Sequence, residues 1–253
     1  MPEVFDTSTR VIEFIDLYQA GQLQFVLGLK DQPELRRVWQ EYSSEIVLVL
    51  LTIENEDGEL ERIQQSGVFV NAGAYILTAA HGFYLDDARL VDLKARRVSG
   101  EEIALLVTRL NYNLEDDKDQ DWAILEALET INTTGVGRSH ESDAGNEVLI
   151  LGYPGGLGLN NDGTVVHASE LGQEDIHPLA MICERVFLKP NVLRPQAGAI
   201  PIRGISGAPI LDQNGALIGL FSSVSRTRSI QGWQYIFRTS DIPWKTLDSL
   251  KGN

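Results

Sequence analysis

Arg203-Gly204-Ile205-Ser206-Gly207-Ala208-Pro209 lies between two apolar runs that read as strands. A serine between glycines in a tight turn exposes its hydroxyl and brings backbone N–H groups toward one point. Acyl transfer needs that arrangement, a nucleophile beside donors for the developing oxyanion. Glycine-serine-glycine is also ordinary turn chemistry between strands. The catalytic reading therefore requires a base and an orienting acid elsewhere in the chain.

The four histidines, His81, His140, His167 and His177, all precede Ser206. The order serine first, histidine last, used by lipase-like α/β hydrolases, is thereby excluded. The order His…Asp…Ser stays open. His81 is the best base: it follows Thr78-Ala79-Ala80 at a strand end, where small residues let an imidazole sit against a neighbouring backbone. His140 lies in a polar boundary segment and reads as solvated. His167 alternates with Val165 and Val166 in a strand, and His177 precedes a proline in a loop. For the acid, Asp121 stands at the start of the apolar run Trp122-Ala123-Ile124-Leu125, where a partly buried carboxylate needs a donor such as imidazole Nδ1–H. Asp116, Asp117 and Asp119 belong to the acidic loop before it, which has no glycine-punctuated ligand spacing to support a cation site. No metal or cofactor is implied.

Working outward, the period is that of strands over most of the chain. Glu45–Asn55, Leu60–Gly73, Ala74–Ala80, and shorter runs at 89–94, 102–109 and 122–127 form the first half. Residues 132–146 are polar and glycine-punctuated, a boundary. The second half repeats the style with EVLILGYP, GTVVHASEL, MICERVFLK, APILD, ALIGLFSSVS and WQYIFRT. Many short strands with turns between them predict an all-β barrel or sandwich. Two amphipathic segments precede them: residues 7–20 with Val11, Phe14, Ile15 and Tyr18 on one face, and 33–42 with Leu35, Val38, Trp39 and Tyr42. Their stripes are expected to cover the following domain; a docking face for a regulatory protein is the second reading. Residues 239–247, with a cap, an early proline and apolar helical spacing, predict a C-terminal helix. The expected division is 1–44 helical extension, 45–135 first half with His81 and Asp121, and 136–253 second half with Ser206 and the final helix.

The 253 residues carry 21 Lys and Arg against 36 Asp and Glu, a net charge of −15. That balance disfavours nucleic acid and anionic membrane surfaces, which demand clustered cations. The single cysteine, Cys183, excludes an intramolecular disulfide and reads as a buried, inert thiol. The start, Met-Pro-Glu-Val-Phe-Asp, has no basic region ahead of an apolar core, and the longest apolar run, Ile46–Ile53, is a strand. A cytoplasmic location is expected.

Taken together, Thr78-Ala79-Ala80-His81, Asp121-Trp122-Ala123-Ile124-Leu125 and Gly204-Ile205-Ser206-Gly207-Ala208-Pro209 resemble the three motifs of the chymotrypsin-like (trypsin-fold) serine peptidases, at suitable spacings of 40 and 85 residues. Within that family the chain is similar to the bacterial Deg/HtrA-type and glutamyl-endopeptidase-like branch. Gln196-Ala197-Gly198-Ala199-Ile200 resembles its catalytic-loop approach, Gly152-Tyr153-Pro154-Gly155 its Gly-Tyr-Pro turn, and Ala216–Leu220 the strand after the serine. The resemblance spans roughly residues 45–250 and implies two antiparallel six-stranded β-barrels. Three departures stand out. Gly82 replaces a half-cystine of secreted relatives, Ile205 replaces the aspartate with which zymogen-activated trypsins pair a new N-terminus, and nothing after residue 250 resembles a PDZ domain.

The resemblance implies a serine endopeptidase with His81 as general base, Asp121 as orienting acid and Ser206 as nucleophile. Backbone N–H groups of Gly204 and Ser206 form the oxyanion hole, with Gly204 suited to a positive φ. Phe221-Ser222-Ser223-Val224 would line the S1 side and pair with substrate backbone, with Ile200 near the pocket floor. An aliphatic floor predicts no preference for Lys or Arg at P1. Val224, where large-pocket relatives have glycine, predicts a small or medium aliphatic residue. Phe221 replaces the histidine of glutamyl endopeptidases, which disfavours glutamate. Arg203 at the rim is either a solvated cation or an attractor for acidic side chains. The competing function is a trypsin-fold binding module, or a protease subunit inactive until a partner docks on the N-terminal helices.

Overall fold

A computed structural model describes residues 29, 32–84, 88–113, 120–138, 147–160, 165–168, 175–186, 189–195, 204–229 and 232–250. The helix expected over residues 7–20 lies outside them. Helix α1 (Pro33–Tyr42) starts the described chain and buries Leu35 and Val38. A single 3₁₀ turn, Ser43–Glu45, leads into the first barrel.

That barrel comprises β1 (Ile46–Glu54), β2 (Leu60–Val70), β3 (Tyr75–Thr78), β4 (Arg89–Arg96), β5 (Glu102–Asn113) and β6 (Gln120–Ala127), closed in the order β1-β2-β3-β6-β5-β4. The second comprises β7 (Glu147–Gly152), β10 (Leu179–Val186), β11 (Lys189–Pro195), β12 (Pro209–Leu211), β13 (Leu217–Ser229) and β14 (Gly232–Ser240), closed in the order β10-β11-β14-β13-β12-β7. Between β7 and β10 a small two-stranded sheet pairs β8 (Leu157–Leu159) with β9 (Val165–His167). Closure leaves neither barrel an unpaired edge. Helix α2 (Trp244–Leu250) ends the described chain and buries Leu247. The all-β expectation and both barrels are therefore observed.

Side-chain alternation explains why Ile46–Leu51 carries no polar residue. Val47, Val49 and Leu51 point into the first barrel with Phe69, Ile76 and Leu125. Ile46 and Leu48 point the other way, into a cluster shared with Leu149, Leu151, Ile182 and Leu220 of the second barrel and with Leu35 and Val38 of α1. Both faces of β1 are buried, so a period of two leaves no solvent side to mark it. The interior of the second barrel has its own cluster, including Met181, Cys183, Phe221 and Phe237. Cys183 is fully buried, and burial pushes its thiol far above the ordinary value. It is an inert core residue.

Two boundaries differ from the sequence reading. Strand β11 was not anticipated, because Pro190 and Pro195 punctuate it; it pairs with β14 through Val192 and Leu193. Thr239 and Ser240, expected as a helix cap, are the end of β14, and α2 begins only after Pro243. Among the described residues no helix is long and apolar enough to cross a membrane.

The link between the barrels is held by Glu45. Its carboxylate accepts hydrogen bonds from the Thr133 hydroxyl and, at 3.0 Å, from the Gly135 N–H, while the residue is 6% exposed. Val136, next in the link, donates its N–H to the Phe69 carbonyl at 2.8 Å. Removing the carboxylate leaves buried donors unsatisfied, so Glu45→Ala is expected to lower unfolding free energy by about 1–3 kcal/mol in urea titrations. Glu45→Gln, which keeps an acceptor, is expected to lose less.

Candidate active site

The antiparallel register of β3 with β6 sets Thr78 opposite Ala123. Continued by two residues, it brings Ala80 opposite Asp121. The Asp121 Oδ1 accepts the N–H groups of Ala80 at 2.8 Å and His81 at 2.9 Å. Its Oδ2 accepts from His81 Nδ1 at 2.7 Å and from the Ser222 hydroxyl at 2.6 Å. A carboxylate offers about four lone-pair sites, and here each oxygen takes two donors. Because the carboxylate only accepts, the proton of a neutral His81 ring sits on Nδ1, and Nε2 carries the lone pair. Asp121 is 0% exposed whereas the His81 side chain is 36% exposed. The pair is thus anchored inside and open at the imidazole edge.

Burial pushes the Asp121 carboxyl up, but the hydrogen bond and charge of His81, followed by the Ser222 hydroxyl, outweigh it, so its pKa lies below the ordinary 3.8. The Tyr112 ring stands 6.5 Å from that of His81 and itself packs 5.0 Å from the ring of Tyr84, both phenols being exposed.

The Ser206 turn is fixed by contacts with both barrels. The Ser206 carbonyl accepts the Ser66 N–H from β2 at 2.8 Å, and Gly207 donates its N–H to the Phe221 carbonyl of β13 at 2.8 Å. Gly207 has φ +79°, and a Cβ there would lie 2.3 Å from the Ser66 carbonyl oxygen and 2.6 Å from the Ala79 nitrogen. Only glycine lets the turn approach the backbone that leads into His81. Gly204 has the expected positive φ, +93°, and a Cβ would come within 2.9 Å of the Gly155 nitrogen. The Gly152-Tyr153-Pro154-Gly155 turn therefore underlies the serine loop. Ile205 is buried in the second-barrel core, 3% exposed.

Other expected residues fall differently. Phe221 and Ser222 were read as lining the substrate side, but both side chains are buried: Phe221 packs edge-on against Phe237 at 5.1 Å, and Ser222 turns to Asp121. Ser223 and Val224 keep side-chain surface, Val224 at 37%. Ile200, Arg203, His140 and the Gln196–Ile200 approach lie outside the described residues. His177 faces Trp39 of α1, ring centres 5.9 Å apart, and His167 ends β9, so neither belongs to the site. Sequence reading missed Ser66 and the orienting contact of Ser222. Nothing in the sequence marks them: Ser66 follows two glutamines and Ser222 begins a serine-rich run, so only the fold reveals what their hydroxyls meet. Among the described residues no group of His, Cys, Asp and Glu could hold a metal ion.

Two closed antiparallel barrels, with a buried acid holding an imidazole and a glycine-flanked serine turn where they meet, define the chymotrypsin-type serine peptidase fold. The trypsin-like peptidase domain family matches residues 65–220, and the chain belongs to that family. No curated protein matches it.

The lowered Asp121 pKa has a signed consequence for stability. A depressed carboxylate stabilises the fold fully above its unfolded pKa, and the contribution is lost as pH falls through the lower folded value. Wild type is therefore expected to exceed Asp121→Asn in urea stability at pH 7, with the gap narrowing once pH drops below 3.8. A gap that widens toward acid would contradict the assignment.

Proposed function

We propose that this protein is a serine endopeptidase acting through His81, Asp121 and Ser206. The observation that carries the reading is the saturated Asp121 carboxylate holding His81 by Nδ1 while the imidazole edge stays open. In the first half-reaction Ser206 Oγ attacks the substrate carbonyl carbon and His81 Nε2 takes its proton. Charge on the carbonyl oxygen is stabilised by the N–H groups of Gly204 and Ser206. Collapse breaks the C–N bond, His81 returns the proton to the leaving amine, and an acyl ester remains on Ser206. Water, deprotonated by the same nitrogen, hydrolyses that ester and restores the serine. Loss of one oxyanion donor costs about 2.7–4 kcal/mol where such a donor has been removed.

Ile205 supports activity without N-terminal processing: an apolar side chain in the second-barrel core cannot pair with a freed ammonium. Together with the Gly152–Gly155 turn beneath Gly204, it favours the Deg/HtrA and glutamyl-endopeptidase-like branch. A fluorophosphonate probe is expected to label wild type at Ser206 and to leave Ser206→Ala and His81→Ala unlabelled. Absence of wild-type labelling under all conditions, with and without cell lysate, would favour a binding module or a subunit awaiting a partner at its N-terminal helices.

The substrate is a protein or peptide whose backbone pairs beside Ser222 and Ser223. Val224 at the rim narrows the entrance and favours valine, alanine or leucine at P1. A P1-varied peptide library is expected to show these above lysine, arginine and glutamate, and Val224→Gly is expected to shift preference to larger residues. Dominant cleavage after a charged residue would refute this specificity.

A further inference from the structure

We infer that Ser66 is a positioning residue, a hydroxyl latch between the barrels that holds the Gly204–Ile205 peptide in place for the nucleophile turn. Ser66 lies on β2 of the first barrel, is 0% exposed, and belongs to neither the acid–imidazole pair nor the serine turn. Its hydroxyl donates to the Gly204 carbonyl at 3.0 Å and accepts the Tyr153 N–H at 2.9 Å. Its backbone N–H donates to the Ser206 carbonyl at 2.8 Å, and its own carbonyl accepts the Thr78 hydroxyl at 2.6 Å. One residue therefore grips the serine turn at two carbonyls, the loop beneath it at Tyr153, and the strand that delivers His81.

The chemistry of the side chain makes the arrangement directional. A hydroxyl has one proton, and the Tyr153 N–H occupies an oxygen lone pair, so the proton is left for Gly204. The Gly204 carbonyl is thus pulled toward β2. Rotation of the Gly204–Ile205 peptide would break that bond and move the residue whose N–H is assigned to the oxyanion. Glycine is the residue with the most backbone freedom, so the hydrogen bond on the carbonyl of Gly204, at φ +93°, restricts rotation that the loop would otherwise have and with it the position of the donor on its other side. Alanine at position 66 would leave a buried N–H and a carbonyl without their partner, and the Gly204–Ile205 peptide would be freer to rotate.

The catalytic part of this inference rests on the peptidase reading; the latch itself does not. Three proteins are compared: wild type, Ser66→Ala, and Ser66→Thr, which keeps the hydroxyl. Hydrogen exchange of the Gly204–Gly207 amides reads the latch, and the rate of fluorophosphonate acylation reads the catalytic consequence. Affinity for a peptide boronate, which forms a tetrahedral adduct, is set against affinity for the matching non-reactive peptide. Ser66→Ala is expected to exchange faster at these amides and acylate about tenfold more slowly. Its boronate affinity is expected to weaken by a similar factor with peptide affinity unchanged, and Ser66→Thr to recover toward wild type. Unchanged exchange in Ser66→Ala would overturn the latch. Faster exchange with wild-type acylation would overturn its positioning role. Equal weakening of boronate and peptide would assign Ser66 to general stability and overturn it as well. Faster exchange in a protein that is unlabelled even as wild type would support the latch and refute the peptidase reading, which separates the two failures.

Discussion

The structure depends on satisfying one buried carboxylate. Asp121 has no exposure, and an ion in that position left without partners would cost several kcal/mol. Its four donors come from the turn after β3 and from β13 of the other barrel. Its own N–H donates to the Ser240 hydroxyl at the end of β14. The carboxylate is therefore completed only when the barrels have closed and docked. The same docking orients His81, so the geometry of the imidazole is a consequence of the interface and cannot be assembled by the first barrel alone.

Strand β2 carries the other half of that coupling by simple alternation. Ser66 faces the serine turn, and Gln65 faces the turn that bears His81. Gln65 is 2% exposed and donates its Nε2–H to the Ala79 carbonyl at 3.2 Å. A Cβ on Gly82 would meet the Gln65 Oε1 at 2.5 Å, so the amide fills the space that a side chain after the histidine would take. Here the histidine turn is braced by a buried amide, a contact indifferent to redox state.

Much of this was legible because strand chemistry and motif order are local properties. The histidine-free chain after Ser206 excludes one catalytic order outright, and the runs at β1, β3, β6 and β7 announce themselves by composition. What escaped depends on tertiary context. Ser66 and Ser222 are polar residues in strands, and only the fold shows that their hydroxyls meet Gly204 and Asp121. The family resemblance puts Phe221 on the substrate side as the first of four consecutive residues. Pleating turns its ring into the barrel. Strand β11 was hidden by its prolines, which are tolerated because it pairs with β14 through residues between them.

Among the described residues, the serine turn is held by contacts from both barrels. Its carbonyls at Gly204 and Ser206 are held by Ser66, its Gly207 N–H by Phe221, and its Ile205 side chain by the core. In zymogen-activated trypsins, with an aspartate where this chain has Ile205, an ion pair with the new N-terminus supplies the last of these restraints. Here burial of Ile205 supplies it through the hydrophobic effect, worth about 1.5–3 kcal/mol for a side chain of that size. That restraint exists as soon as the second barrel closes, and the Ser66 restraint exists as soon as the barrels dock. The turn thus acquires its shape at the same step that satisfies Asp121. The same interface contacts hold both turns, so a change that loosens the interface should disturb the surroundings of Ser206 and His81 together.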